Sequence, residues 1–353
     1  MNYRLLILGD NFIDVETGGS QMKTITKLTL ALSLAYAGSA AALDITIGHV
    51  DSQDWTISKK GAATQVFKNL VEAESGGRIN VNIYPSGQLG GETELLQSTQ
   101  EGMLTMTMVS GAYSKLCKEA NVLEIPYLFP SAPIAWEVLD GEFGQKLNDQ
   151  CLKTTGLRNL AYGETGFRHF TNSKREITTP QDLNGLKIRV MTTPLYVEMM
   201  KSLDAEPTPI AFPEVPAALT TGVIDGQENP VSVINANKFY ELQKYITLDG
   251  HVYGTDFLLM NDDFYTSLNA EDRAIIDRAA KVAGTVGRAI QQVNSAEGLE
   301  VLAQKGMKIT SLTPEQQKQF RDKTQPAVIK WLSGTIDSKW IDDALDAVET
   351  ATN

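Results

Sequence analysis

The segment from Gly185 to Pro230 leaves this chain the fewest folding options. It opens Gly-Leu-Lys-Ile-Arg-Val and closes Val-Ile-Asp-Gly-Gln-Glu-Asn-Pro. Between these ends, apolar spacing predicts a strand over 187–191, a helix over 194–203, an extended run over 208–212 and a helix over 213–221 ended by Gly222. Arg189 falls at the tip of one expected strand, and Gln227-Glu228-Asn229 at the tip of another. Polar side chains where strand gives way to loop are the usual lining of a ligand cleft in an α/β domain.

The chain has 353 residues, enough for two domains with a sizeable core in each. Its net charge of −12 argues against nucleic-acid binding and against docking on anionic lipid. Any anionic solute must therefore be held by cations local to its site. Residues 22–42 read as a signal sequence: a basic start with Lys23 and Lys27, a short apolar run over 28–37, then small residues at the cleavage site. Residues 1–21 read as an upstream extension. Removing 1–42 takes away three basic and three acidic side chains, so the mature charge stays at −12. No other stretch is long and apolar enough to span a bilayer, so the chain is expected to be exported to the periplasm and soluble. Cys117 and Cys151 fit an oxidising compartment, either as one disulfide or as two separate buried thiols.

Alternation predicts strands over 43–49, 79–84, 103–109 and 157–162, separated by helical patterns over 55–75, 94–99 and 133–154. Strand, helix, strand in that order makes a parallel sheet the default. Gly163 to Gly166 is the expected crossing into a second domain, and 245–260 an extended return. A helical pattern of about thirty residues begins at Asn269 and exceeds the needs of one domain. A bend is expected where it passes between domains. Thr313-Pro-Glu-Gln316 is a capping box that starts a last helical region.

Enzymatic signatures are missing: there is no G-x-S-x-G, no H-E-x-x-H, no P-loop and no dinucleotide glycine fingerprint. No Cys/His spacing suits a metal, and no cofactor is expected. Glu164, Glu228 and Asp225 could be drawn as an acid/base pair, but carboxylates beside glycine more often hydrogen-bond loops. Arg168 and Arg189 each sit inside or at the end of an apolar strand pattern. One reading is a solvated charge on a strand edge. The other is a planar fork of donors that grips a carboxylate bidentately. Asn229 is either an orienting amide or a turn residue, and Phe212 either a pocket wall or a core aromatic.

Five blocks resemble the solute-binding subunits of tripartite ATP-independent periplasmic (TRAP) transporters, of the dicarboxylate-binding DctP type. They are Gly185-Leu-Lys-Ile-Arg-Val, Pro207-Thr-Pro-Ile-Ala-Phe, Thr221 to Pro230, Tyr84-Pro-Ser-Gly-Gln-Leu-Gly-Gly and Gly166-Phe-Arg-His-Phe-Thr-Asn. The resemblance implies a two-lobed α/β clamshell with lobe-crossing strands and a long bent hinge helix. Lobe I would comprise 43–165 plus about 254–293, and lobe II 166–253 plus about 294–353. It implies a monomer that is not an enzyme, capturing a small organic acid (a dicarboxylate, sugar acid or hydroxy acid) for the small and large membrane subunits of a permease. By that likeness Arg189 carries the salt bridge to the solute carboxylate, Asn229 helps orient it, Phe212 lines the pocket and Arg168 is a second arginine, with Gln227 a further ligand-binding candidate. From the first lobe, the loop after His49 and the loop from Ser110 to Tyr113 would touch the rest of the solute, with His49, Ser110 and Tyr113 as site candidates and His251 a weaker one near the crossing. The alternatives are a sensory co-receptor built on the same clamshell, or a binder of a zwitterion such as ectoine. Two departures stand out. Glu214-Val-Pro216-Ala-Ala-Leu-Thr220 replaces the common Glu-Val-Tyr-Thr-Ala-Leu-Gln. Ser110 stands where sialic-acid binders resemble one another in carrying glutamate, which argues against sialate.

Overall fold

A computed structural model describes residues 43–353 and, by themselves, two short strands near the N-terminus, 3–7 and 11–15. These strands, β1 (Tyr3–Ile7) and β2 (Asn11–Val15), pair antiparallel with Tyr3 opposite Val15. The expected signal sequence over 22–42 lies outside the described residues, as does the remainder of the upstream extension.

From Leu43 the chain builds two sheets. In the first, β3 (Leu43–Gly48) lies between β4 (Ile79–Tyr84) and β5 (Met106–Val109), parallel to both. Its alternation buries Ile45 and Ile47 against Phe67 and Val71 of α1 (Lys59–Glu74), whose first turn is capped by Ser58 Oγ accepting from Gly61 N at 2.9 Å. The order is completed by β12 (Tyr253–Asn261) and β6 (Leu157–Phe167) as β4-β3-β5-β12-β6. An all-parallel sheet was the expectation from element order. The sheet is mixed instead, because β12 arrives from the other lobe and runs antiparallel between β5 and β6.

The second sheet has six strands: β13 (Lys308–Ser311), β11 (Tyr245–Leu248), β7 (His169–Asn172), β10 (Gly226–Asn229), β8 (Lys187–Val190) and β9 (Glu206–Pro209), in that spatial order. The chain passes between sheets where β6 hands over to β7 and where β11 hands over to β12. A third link is α9 (Ala270–Gln304), 35 residues long and capped by Asn269. It packs on α1 and β6 in the first lobe and on α7 (Val231–Ala236) in the second.

The pattern expected as one helix over 133–154 is two, α3 (Ala132–Asp140) and α4 (Glu142–Thr155), broken at Gly141, whose backbone is extended. The capping box at Thr313 and Gln316 starts α10 (Pro314–Ser333), with bonds of 2.9 and 3.2 Å. The last helix, α11 (Lys339–Thr352), buries Ile341, Ala344 and Val348 and sets Trp340 6.4 Å from Phe143 of α4. Residues 339–352 pack mainly on α3, α4 and the turn over 118–124.

Candidate functional site

The strand ends of both sheets face a shared cavity with about 540 Å³ of empty space, mouth included. Arg189 is the third residue of β8, placed opposite Thr208 on β9 and Gln227 on β10. It is 2% exposed, and its Nε donates to the Ile210 carbonyl at 2.8 Å. Among the described residues neither terminal nitrogen has a hydrogen-bond partner and no carboxylate lies within ion-pair distance. Its guanidinium carbon sits 5.9 Å from the centre of the Phe212 ring. Burial draws its pKa down to about 10, Arg168 adding to that and Glu228 opposing it, so it remains a cation at neutral pH.

Arg168, in the link between β6 and β7, also lines the cavity, but it already has a carboxylate partner. Its Nε and Nη2 take both oxygens of Glu228, with Nη2 2.8 Å from Oε1, and Nη2 also reaches the Glu228 carbonyl at 2.7 Å. Behind Glu228 stands His251, with Nε2 3.3 Å from Glu228 and Nδ1 2.8 Å from Asp249. Burial works against the charges of Arg168, Glu228 and His251. Arg168 and His251 nevertheless hold Glu228 at about 2, and Asp249 and Glu228 lift His251 to about 9. The second carboxylate clamp expected at Arg168 is thus engaged by the protein's own glutamate.

Asn229, Phe212 and Ser110 line the cavity; Tyr113, Gln227, His49 and His251 do not. Tyr113 turns into the core, its ring 5.0 Å from Phe257 and its hydroxyl 3.3 Å from Thr155. The tight turn after Ser110 sends Ala112 to the cavity in its place. Gln227 lies one residue pair back along β10, buried, accepting from Asn229 and donating to Thr171 at 2.8 Å. It supports the amide that reaches the cavity. His49 props the next loop through Gln53 at 3.0 Å, and burial lowers its pKa to about 4, which keeps it neutral. The carboxylates weighed as an acid/base pair are occupied elsewhere: Glu164 accepts from Trp136 at 2.7 Å and Gln292 at 2.6 Å, and Asp225 from the Lys187 amide at 3.0 Å.

On the opposite wall, sequence reasoning pointed to the loops after His49 and Ser110 but missed Lys59, Lys60 and Glu92, which also line the cavity. Lys60 is 1% exposed, donating to Glu92 Oε1 at 2.7 Å and Ser110 Oγ at 2.9 Å, with Asp256 at 3.6 Å and Asp51 at 3.9 Å. Burial opposes its charge, but Glu92, Asp256 and Asp51 together raise it above the usual lysine range. Beside it, Lys59 reaches Asp51 at 2.8 Å. Gly61 makes this possible: a Cβ there would stand 2.6 Å from the Ser52 carbonyl, so only glycine lets the Asp51 loop lie on α1. The signal was present, since Lys60 shares the stripe of Ala63, Phe67 and Val71, and a lysine in an apolar register is rarely idle. Below the cavity Glu124 is buried with Oε2 unpartnered, and burial pushes its carboxyl up to about 8 despite Arg168. Among the described residues no group of three His, Cys, Asp or Glu is arranged to hold a metal ion.

A family model described as DctP, bacterial extracellular solute-binding protein, family 7, matches residues 47–333. The chain belongs to this family. DctP relatives include a solute-binding protein of Verminephrobacter eiseniae, 37% identical over 288 residues that cover 81% of this chain and 86% of that one. The fold matches the crystal structure of a sugar acid binding protein from Advenella mimigardefordensis in complex with galactonate, with TM-score 0.83 and 33% identity over 87% of this chain and 98% of that one. It also matches a TRAP periplasmic solute binding protein from Polaromonas sp. JS666 bound to D-erythronate, with TM-score 0.80 and 32% identity over 87% and 98%. This DctP chain is accordingly a two-lobed, non-enzymatic solute-binding protein.

Proposed function

We propose that this chain is the periplasmic solute-binding subunit of a TRAP transporter, holding a small organic acid on Arg189 and delivering it to the membrane subunits of the permease. One observation carries the reading: a guanidinium 2% exposed in a cavity wall, with both terminal nitrogens lacking a partner among the described residues. A buried charge of that kind costs several kcal/mol until an anion pairs with it. A carboxylate matches the fork with two parallel hydrogen bonds. Asn229 on the neighbouring strand end orients the acid, and Phe212 gives it an apolar wall. The acids held by the Advenella and Polaromonas relatives are carboxylates, in agreement with this chemistry.

The test is calorimetric titration and thermal shift with galactonate and erythronate. Ligand at about a hundred times Kd adds roughly 2.7 kcal/mol to stability. Arg189→Ala is expected to abolish that gain, and the ligand should be recovered chemically unchanged. Full affinity in the Arg189→Ala protein would refute the assignment.

A further inference from the structure

The cavity has chemically opposite walls. On the second lobe, Arg189 is the one lining cation, among the described residues, without a carboxylate in ion-pair distance; Arg168 is spent on Glu228, and the two lysines on Asp51 and Glu92. On the first lobe, Asp51, Glu92 and Asp256 share only Lys59 and Lys60. Three of their oxygens, Asp51 Oδ1, Glu92 Oε2 and Asp256 Oδ2, receive no hydrogen bond from any described residue, and the first two belong to side chains that line the cavity. One open cation on one side and two open anionic acceptors on the other set what fits between them.

We infer that the site selects a monocarboxylate carrying several hydroxyl groups and rejects dicarboxylates, with Asp51 and Glu92 reading the hydroxyls. The inference rests on the reading of Arg189 as the carboxylate anchor and names the class of acid it holds. A hydroxyl donates to an ionised carboxylate in a strong, charge-assisted bond. A second carboxylate in that place has no proton to give and meets two like charges in a largely dehydrated space. An unsubstituted alkyl tail leaves both acceptors dehydrated and unpaired. Lys60 keeps the acidic wall in place: its buried ammonium lies 2.7 Å from Glu92 and 3.9 Å from Asp51 and bridges the two side chains.

The test uses acids that differ in one feature. Galactonate is compared with galactarate, which adds a terminal carboxylate, and with hexanoate, which removes the hydroxyls; erythronate and tartrate repeat the first comparison at four carbons. In calorimetry the hydroxy monocarboxylate of a pair is expected to bind at least about a hundredfold more tightly than its partners. Glu92→Gln, which keeps the acceptor for Lys60 and Ser110 but turns an amide donor to the cavity, should weaken the aldonate roughly tenfold and narrow its lead over the dicarboxylate. Asp51→Asn serves as the second variant, and ligand-free melting of both proteins checks the fold. A dicarboxylate that binds as tightly as its aldonate, aldonate affinity unmoved by either substitution, or no binding by any of the five acids would overturn the inference. Tight dicarboxylate binding lost in Arg189→Ala would sink only this inference. Binding of any acid that ignores Arg189→Ala would sink the anchor itself.

Discussion

Gly111 and Glu124 illustrate how single residues set the electrostatics of this site. A Cβ at position 111 would come 1.8 Å from Glu124 Oε1, so the glycine makes room for a carboxyl group beside Arg168 with one oxygen unpartnered. Burial raises the Glu124 pKa from 4.5 to about 8, with Glu228 and Glu92 adding to the rise and Arg168 resisting it. The folded protein therefore holds a proton that the unfolded chain releases in this window. Glu124 contributes its full stability below about pH 4.5 and loses it as pH rises through about 8. His251 slopes the same way between about 6.5 and 9, and His49 the opposite way between about 4 and 6.5. Both histidines are common to wild type and Glu124→Gln, so the difference between the two proteins isolates Glu124. Urea unfolding across this range should show wild type losing on the order of a few kcal/mol relative to the variant by pH 9. Parallel pH profiles would mean that Glu124 titrates normally in the fold.

Among the elements, the short 3₁₀ turn over Lys118–Glu124 carries Glu124 under the cavity, and it is tied down at its start. Cys117, its cap, is joined to Cys151 of α4 across 34 residues, with Cα atoms 5.2 Å apart. A closed loop of that length lowers the entropy of the unfolded chain, a contribution of about 3–4 kcal/mol in the chain-entropy model. Replacing both cysteines by serine should lower the urea midpoint accordingly, and a reductant should do the same to wild type but nothing to the double variant. Unfolding curves indifferent to reductant would show that the bond contributes no stability. The element patterns were largely legible: β3, β4, β8 and α5 (Pro194–Ser202) lie where alternation and helical spacing place them. The break at Gly141 was not, because apolar spacing runs across it and nothing in that local pattern demands the extended backbone found there. The antiparallel entry of β12 was equally hidden, since strand direction depends on where the chain comes from and not on its local pattern.

In the whole molecule the lobes meet at the cavity rim. Thr93 Oγ1 of the first lobe lies 3.5 Å from Thr192 Oγ1 of the second, and Ser232 on α7 donates to Gln291 on α9 at 2.7 Å. Apolar groups also meet there, Gly87 lying close to Pro213 and Gly91 to Ala211, and the solute is expected to complete the closed wall. Small-angle scattering should give a smaller radius of gyration for wild type when an aldonate is added, and no change for Arg189→Ala. A radius unaffected by ligand in wild type would rule out ligand-driven closure. By itself the sequence determined the alternation of strands and helices, the long helix, the family signature and the arginine at a strand tip, because periodicity, capping and local motifs are properties of neighbouring residues. Only the tertiary structure decided that Arg168 is already claimed by Glu228, that Tyr113 belongs to the core and that Lys60, Asp51 and Glu92 form the facing wall. Those are partnerships between residues far apart in the chain, and a charge acquires its role from the dehydrated neighbours the fold brings to it.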